Sequence, residues 1–208
     1  MSTYTLYTNP MSRGQIARWA LHEAGADYEQ RLTQWGPPLP ELLALNAMGK
    51  VPTLVHHHGG HDHVVTEAAA ICHYLAETSA PDLLPREEEK ADYFRYLFFA
   101  AGPMEQAITA QSMGWKPDGL QKEGMAGFGS YDRAVDAFDK MLNGRDYVCG
   151  GRFTIADVYV GAQVDWGLQF KTLPERKAFT AYAERLRGRE AYRAAKEIDD
   201  RLIAEMQS

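Results

Sequence analysis

The chain has 208 residues, 45% of them hydrophobic, and its 22 Lys and Arg residues against 28 Asp and Glu residues give a net charge of -6. This size allows one large or two small domains with a buried core, and an acidic chain without a basic block is not expected to bind nucleic acid or an anionic membrane. No apolar stretch is long enough to span a membrane and no signal peptide is recognised, so we expect a cytoplasmic protein with a small-molecule or protein partner.

Strand-like and helix-like segments alternate over the first third of the chain. The apolar residues Ile16, Trp19 and Ala20 recur at i, i+3 and i+4, which predicts a first helix. A stripe from Ala68 to Ala76 has the same spacing and predicts a helix that packs one face on a sheet. In chain order we predict a strand at 4–7, the first helix up to Gly25, a strand at 28–32, a short helix at 41–45, strands at 51–55 and around 64–65, and the striped helix from 67.

Two prolines interrupt this pattern in the segment SAPDLLP, residues 79–85. Such a segment is typical of a connection between domains. We therefore predict a linker at 79–86, a first domain at 1–78 with the order βαβαββα, and a second domain at 87–208 without strands.

Helical patterns fill the second domain. The stretch IADVYVGAQV is apolar nearly all round and predicts a central buried helix. Thr154 and Asp157 at its start form a variant of the capping box, in which both side chains bind the first N–H groups of a helix. The predicted helices are 87–112 with a kink at Pro103, 128–142, 155–170, and one from 178 onward.

Three motifs in this order resemble cytosolic glutathione transferases of the bacterial type: MGKVPTL at 48–54, TEAAAI at 66–71 and GRFTIADVYVG at 151–161. The resemblance extends over essentially the whole chain. It implies a thioredoxin-like N-terminal domain followed by an all-helical C-terminal domain, a homodimer, and glutathione bound as co-substrate in a cleft at the domain boundary. It implies no other cofactor and no metal. It also implies that Pro52 is cis.

The motifs nominate five residues for binding glutathione. The turn at Val51 and Pro52 would expose backbone groups that pair with a peptide as a strand edge does. Glu67 and Ala68 begin a helix, whose N-terminal N–H groups suit the γ-glutamyl carboxylate, while the Glu67 carboxylate would face the ligand's ammonium group. Lys50 would reach the glycyl carboxylate. The alternatives are a Glu67 that only stabilises the helix dipole and a Lys50 that is an ordinary exposed turn residue.

The segment TNPMSRG, residues 8–14, joins the first strand to the first helix. In glutathione transferases this loop brings a Tyr, Ser or Cys to the glutathione sulfur. The resemblance places that catalytic position at Ser12 or Met11, and of these two only Ser12 donates a hydrogen bond. Asn9 and Arg13 are the substitutes if the loop is arranged differently. The alternative for Ser12 is an ordinary serine at a helix start.

Two further groups of side chains have no assigned role. Histidines cluster between the third and fourth strands, where we favour a solvated hairpin turn over a metal site; they are His56, His57, His58, His61 and His63. Large apolar residues of the second domain are candidates for an electrophile pocket, although such residues are more often core; they are Phe98, Phe99, Met104, Trp115 and Trp166.

We therefore predict a glutathione transferase that binds glutathione as the thiolate and directs it onto an apolar electrophile, without a metal or a covalent enzyme intermediate. The alternative is a protein of the same fold that binds ligands or partners with little turnover. This alternative stays open because Ala68 stands where the family usually has Ser.

Overall fold

The computed structural model describes residues 3–207, which group by their contacts into two units. One unit contains the chain up to Leu84 together with the chain from Gly188 onward, and the other runs from Pro85 to Arg187. The first division falls inside the predicted linker at 79–86. The second boundary, between Arg187 and Gly188, differs from the predicted domain 87–208. The C-terminal helix groups with the first unit and not with the second.

A four-stranded sheet is the framework of the first unit. Its strands are β1 (Tyr4–Thr8), β2 (Tyr28–Leu32), β3 (Thr53–His58) and β4 (His61–Thr66), in the order β2-β1-β3-β4. β1 and β2 are parallel, and the other two pairs are antiparallel. The sheet buries alternate side chains of β1, among them Leu6, against helices.

Four helices accompany this sheet: α1 (Gly14–Glu23), α2 (Pro40–Leu45), α3 (Ala68–Ser79) and α10 (Glu190–Gln207). The predicted stripe of α3 is buried, from Ala68 through Ile71 and Leu75 to Ala76. The order βαβαββα up to α3 is the predicted thioredoxin-like arrangement.

Helix α10 joins the first unit because its polar residues are paired with α1. Arg18 and Asp199 form an ion pair at 3.0 Å with both side chains buried. Arg189 binds both carboxylate oxygens of Glu23, at 2.6 and 2.7 Å. Leaving either buried charge without its partner would be costly, so these pairs fix α10 to α1.

The second unit is helical, as predicted, and contains α4 (Lys90–Phe99), α5 (Glu105–Ser112), α6 (Leu120–Met125), α7 (Tyr131–Leu142), α8 (Ala156–Gln169) and α9 (Lys177–Arg187). A π-helical turn at Ala100–Met104 surrounds Pro103 and separates α4 from α5, which is the predicted kink. Helix α6 was not predicted. Of the helices within residues 3–207, none is long and apolar enough to cross a bilayer.

The buried Asp157 carboxylate accepts four hydrogen bonds at the centre of the second unit. Its Oδ1 accepts from the Val148 N–H at 2.8 Å and from the Tyr182 hydroxyl at 2.7 Å. Its Oδ2 accepts from the N–H of Thr154 at 2.8 Å and from the Thr154 hydroxyl at 3.1 Å. The Asp157 half of the predicted capping box is therefore confirmed, whereas the Thr154 hydroxyl donates to Asp157 and does not bind an N–H group of the helix. Asp157 also fixes a loop and a tyrosine of α9. Burial raises the pKa of Asp157 to about 6, although all four donors favour the carboxylate.

We expect Asp157→Ala to lower the free energy of unfolding by roughly 4 kcal/mol or more, because it leaves several buried donors without an acceptor. Urea unfolding of the purified variant measures this. The matched control is Asp200→Ala, which removes an exposed carboxylate paired with Lys196 at 2.7 Å and should cost less than about 1 kcal/mol. Equal losses in the two variants would contradict the assigned role.

Candidate active site

The register of the sheet gathers the nominated segments at one end of the first unit. Tyr7 pairs with Thr53, and Thr53 pairs with Thr66. The loop after β1, the turn before β3 and the start of the helix after β4 therefore leave the sheet side by side. These three places carry the catalytic candidate Ser12, the Val51–Pro52 turn and the Glu67–Ala68 helix start.

The Val51–Pro52 peptide bond is cis, as predicted. The Lys50 carbonyl holds the turn in place by accepting from the Asn46 side-chain amide at 3.0 Å and from the Thr53 hydroxyl at 2.9 Å. Pro52 is buried and Val51 is half-buried. Within residues 3–207, no backbone hydrogen bond involves the N–H or C=O of Val51. A peptide ligand therefore finds one unpaired strand-like donor and acceptor here.

Glu67 has an unusual backbone conformation, with φ 66° and ψ 116°. A positive φ is rare for a residue with a side chain and typically costs about 1–3 kcal/mol. Its side chain is exposed, and its carbonyl accepts from the Ile71 N–H at 2.9 Å as the first bond of α3. The strain at Glu67 is therefore not explained by packing of its side chain, which is exposed.

The first turn of α3 has no side-chain cap, since Glu67 makes no capping hydrogen bond. The N–H groups of the first turn are therefore available to an anion, which the helix dipole also favours. Ala68 is buried and belongs to the core stripe, so it offers this site only its N–H group. Lys50 is exposed at the turn, and its carbonyl rather than its ammonium group makes the contacts within the protein.

Ser12 is half-buried in the loop between β1 and α1. Its hydroxyl donates to the Asn9 carbonyl at 2.7 Å and accepts from the Gly14 N–H at 3.0 Å. In this arrangement Ser12 acts as a helix-start serine, and its single proton is directed at Asn9. To donate to a sulfur, the hydroxyl has to turn away from that carbonyl.

Of the two substitutes, Asn9 is placed to fix the loop. Its amide is buried, donates to the Thr33 carbonyl at 2.8 Å and accepts from the Met11 N–H at 2.9 Å. Arg13 is exposed at the first position before α1. Burial removes Asn9 from contact with a ligand, whereas Arg13 stays accessible.

Sequence reasoning missed a close contact that sets the start of α1. A Cβ atom on Gly14 would lie 1.9 Å from the Thr8 hydroxyl oxygen, so only glycine fits there. The signal available in the sequence was the glycine itself, placed where a helix begins and directly after Ser12 and Arg13.

All five clustered histidines lie in the strands β3 and β4, and none lies in the turn between them. His56 is buried, which differs from the predicted solvated turn: it stacks on Tyr4 at 4.5 Å, and its Nδ1 contacts the Tyr74 hydroxyl at 2.9 Å. Burial lowers the pKa of His56. His57 pairs with Asp62 at 2.6 Å. In the described part of the chain, no three His, Cys, Asp or Glu side chains are grouped to hold a metal ion.

The candidates for the electrophile pocket divide into two kinds. Met104 is fully buried and is a core residue, and Phe99 and Trp166 are half-buried. Phe98 and Trp115 are 67% and 64% exposed. Only these last two present most of their surface to solvent.

Comparison with known proteins agrees with this architecture. Residues 2–77 match the N-terminal domain and residues 96–190 the C-terminal domain of glutathione S-transferases. The chain is 35% identical to glutathione S-transferase 1 of Schizosaccharomyces pombe over 67% of its own length and 64% of that protein. It is 30% identical to glutathione S-transferase 2 of the same yeast, over 76% of this chain and 73% of that one.

A solved structure gives the same result. The theta class glutathione S-transferase of Xanthomonas axonopodis pv. citri, determined with glutathione bound, aligns with a TM-score of 0.73 and 26% identity over 94% of this chain and 97% of that one. The fold is therefore a thioredoxin-like domain followed by a helical domain. The chain belongs to the glutathione S-transferase family of enzymes.

We expect Glu67→Gly to raise the free energy of unfolding by about 1 kcal/mol, because glycine adopts a positive φ without strain, and at the same time to weaken glutathione binding. Glu67→Gln keeps the backbone strain and removes only the charge, so it should weaken binding without the gain in stability. Thermal unfolding and calorimetric titration with glutathione measure the two effects.

The matched control for the backbone effect is Glu77→Gly, at an exposed position inside α3, which should lose about 1 kcal/mol of stability. A loss of stability in Glu67→Gly as well would contradict the strain argument. Unchanged glutathione affinity in both Glu67 variants would remove this residue from the site.

Proposed function

We propose that this family member binds glutathione at the end of its sheet, stabilises it as the thiolate, and transfers it to an apolar electrophile by substitution or addition. The observation that carries the proposal is the unpaired backbone edge of Val51 next to the uncapped start of α3, brought together by the pairing of Thr53 with Thr66. Glutathione is a short peptide with a carboxylate at each end, and it matches both features.

The ligand is placed by its three chemical parts. Its cysteinyl backbone pairs with the N–H and C=O of Val51 beside Pro52, as an added strand would. The γ-glutamyl carboxylate accepts from the N–H of Ala68 and its neighbour at the positive end of α3, and the ammonium group lies near the Glu67 carboxylate. Lys50 is the nearest candidate for the glycyl carboxylate.

Ser12 is proposed to stabilise the thiolate. A free thiol has a pKa of about 8.5, so mostly thiolate at neutral pH needs a decrease of about 2 units, or roughly 2.7 kcal/mol. Turning the Ser12 hydroxyl from the Asn9 carbonyl to the sulfur exchanges a neutral hydrogen bond of about 0.5–1.5 kcal/mol for a charged one of about 1.5–3 kcal/mol. The exchange favours the thiolate, and the start of α1 adds to it.

The protein's own cysteines do not compete for this chemistry. Burial raises the pKa of Cys149 to about 11, and it raises the pKa of the fully buried Cys72 as well. Thiols held in the neutral form are poor nucleophiles. This supports direct transfer of glutathione over a covalent enzyme intermediate. A cytoplasmic location is part of the proposal, because free cysteines and reduced glutathione belong to a reducing compartment.

A homodimer is also proposed, and its support lies on α4. Phe94 and Phe98 stand one turn apart on the exposed face of this helix, with ring centroids 6.3 Å apart. Soluble monomers rarely leave a cluster of large aromatic side chains in water, whereas such clusters are common in interfaces. A second copy of the chain is the proposed occupant.

The catalytic proposal predicts that Ser12→Ala lowers turnover with an activated aryl halide by about tenfold or more while glutathione affinity changes little, because the hydroxyl acts on the sulfur and not on the peptide frame. The thiolate absorbance of bound glutathione should fall in parallel. The matched control is Ser112→Ala, which also removes a hydroxyl that donates to a backbone carbonyl, here that of Ile108 at 2.9 Å.

The possible outcomes separate the proposals. Unchanged turnover and thiolate absorbance in Ser12→Ala would move the role to Arg13 or to a backbone N–H. Tight glutathione binding by the unmodified protein, without turnover on any of several aryl halides, would instead support a binding or partner module of the same fold.

The proposed dimer predicts that Phe98→Glu is monomeric at concentrations where the unmodified protein is dimeric, because a buried unpaired carboxylate is costly in an apolar interface. Sedimentation velocity measures this. Phe170→Glu is the matched control, since Phe170 is 65% exposed in the same unit and should leave the mass unchanged. A dimer that survives in Phe98→Glu would place the interface elsewhere.

A further inference from the structure

The last residue of β1 carries a buried hydroxyl group that the fold does not use. Thr8 is fully buried, and within residues 3–207 its side-chain oxygen has no hydrogen-bond partner. Its backbone, in contrast, is well held, because the Thr8 carbonyl accepts from the Thr33 N–H at 2.8 Å and from the Thr33 hydroxyl at 3.3 Å. An unpaired buried hydroxyl is costly, and a valine of the same shape would avoid that cost. The fold therefore gives no reason for a hydroxyl at this position.

This hydroxyl lies beside the proposed catalytic residue Ser12. The point that a Cβ atom on Gly14 would occupy is 1.9 Å from the Thr8 hydroxyl oxygen and 3.1 Å from the Ser12 hydroxyl oxygen. The two oxygens are thus no further apart than these two distances together. Because Gly14 has no side chain, the space next to both oxygens stays open.

Each of the two hydroxyl groups lacks what the other can supply. A hydroxyl has one proton to donate and can accept two hydrogen bonds. The Ser12 oxygen accepts from the Gly14 N–H at 3.0 Å and can accept one further bond. The Thr8 hydroxyl has a proton to donate and finds no acceptor in the described part of the chain. A bond from the Thr8 hydroxyl to the Ser12 oxygen would satisfy both groups.

The Ser12 hydroxyl can turn from the Asn9 carbonyl to a ligand without leaving that carbonyl unpaired. The same carbonyl also accepts from the Ser12 N–H at 3.0 Å, so the loop keeps its turn. Hydrogen bonds in a chain polarise one another, and a hydroxyl that accepts a bond becomes a stronger donor. A bond received from Thr8 would therefore strengthen the bond that Ser12 donates to an anionic sulfur.

We propose that Thr8 is a positioning residue of the transferase reaction, whose hydroxyl donates to the Ser12 oxygen while the Ser12 hydroxyl donates to the glutathione sulfur. This chain of two bonds holds Ser12 in the orientation that stabilises the thiolate. Thr8 acts only through Ser12, because it is fully buried and does not reach the ligand itself. The inference thus rests on the proposed function and on the role of Ser12 in it.

The test is Thr8→Val, which removes the hydroxyl and keeps the shape of the side chain. We expect the pKa of the bound glutathione thiol, followed by thiolate absorbance from about pH 5 to 9, to rise by about half a unit, and turnover near about pH 6.5 to fall about threefold. The unfolding temperature should stay the same or rise, because an unpaired buried hydroxyl is removed. Thr8→Ser keeps a hydroxyl and should retain the pKa of the unmodified protein.

The matched control is Thr33→Val, which also removes a buried threonine hydroxyl, here one that is bonded to a backbone carbonyl. It should leave the pKa of the bound thiol unchanged. The decisive comparison adds Thr8→Val to Ser12→Ala. Because Thr8 acts through Ser12, the added substitution should then change neither the thiol pKa nor turnover.

Three results would overturn the role of Thr8. They are an unchanged thiol pKa in Thr8→Val, an effect of Thr8→Val that is equally large in the Ser12→Ala background, and a lower unfolding temperature in Thr8→Val, which would make the hydroxyl structural. If Ser12→Ala raises the thiol pKa and Thr8→Val does not, this inference alone fails. If neither variant changes the thiol pKa, the proposed role of Ser12 fails as well.

Discussion

The pairing of β3 with both β1 and β4 is the constraint on which the candidate site depends. Since Thr53 lies opposite both Tyr7 and Thr66, the three chain segments that contain the candidate site residues leave the sheet at one end. A shift of one residue in either ladder would reverse the faces of every side chain on that strand and move the buried Leu54 to the wrong side. The core pattern and the site geometry are therefore fixed by the same register.

The hydrogen bonds of the loops then distinguish side chains that fix the loops from backbone groups that have no partner within the described residues. Asn9 and Asn46 use their amides on neighbouring backbone groups, and each fixes one loop. In contrast, the backbone of Val51 and the first turn of α3 keep their polar groups available. A buried polar group without a partner is costly, so such groups persist at accessible positions where a ligand or water supplies the partner.

The sequence patterns predicted the elements well where local periodicity decides them. The stripe of α3, the buried helix α8 and the bond from the Thr154 N–H to Asp157 all follow from short-range spacing, and each is present in the structure. The cis bond before Pro52 came from the family motif and not from periodicity.

What could not be predicted depends on contacts between residues far apart in the chain. Assignment of α10 to the first unit depends on Arg18 meeting Asp199, which are 181 positions apart. The burial of His56 likewise depends on its contacts with Tyr4 and Tyr74, and no local sequence pattern predicts that burial. The hydrogen bond from the Ser12 hydroxyl to the Asn9 carbonyl likewise follows from the path of the loop. The sequence left the catalytic role open among Ser12, Asn9 and Arg13.

The anchoring of α1 connects these long-range contacts to the candidate site, because α1 begins at Gly14, two residues after Ser12. Burial raises the pKa of Asp199 to about 6, although Arg18 opposes the shift. A carboxyl whose pKa is higher in the folded chain than in the unfolded chain contributes most to stability in acid, and that contribution falls as the pH rises through the folded value. At neutral pH, above this pKa, Asp199 is ionised and forms the ion pair with Arg18.

Arg18 also donates to two neutral acceptors, the Tyr28 hydroxyl and the Gln30 amide oxygen, each at 2.9 Å. These two bonds do not depend on whether Asp199 is protonated. Protonation of Asp199 therefore does not leave the buried guanidinium without partners. The helix that carries the Ser12 loop is held on one side by strand β2 and on the other by α10, so its position does not depend on a single charge.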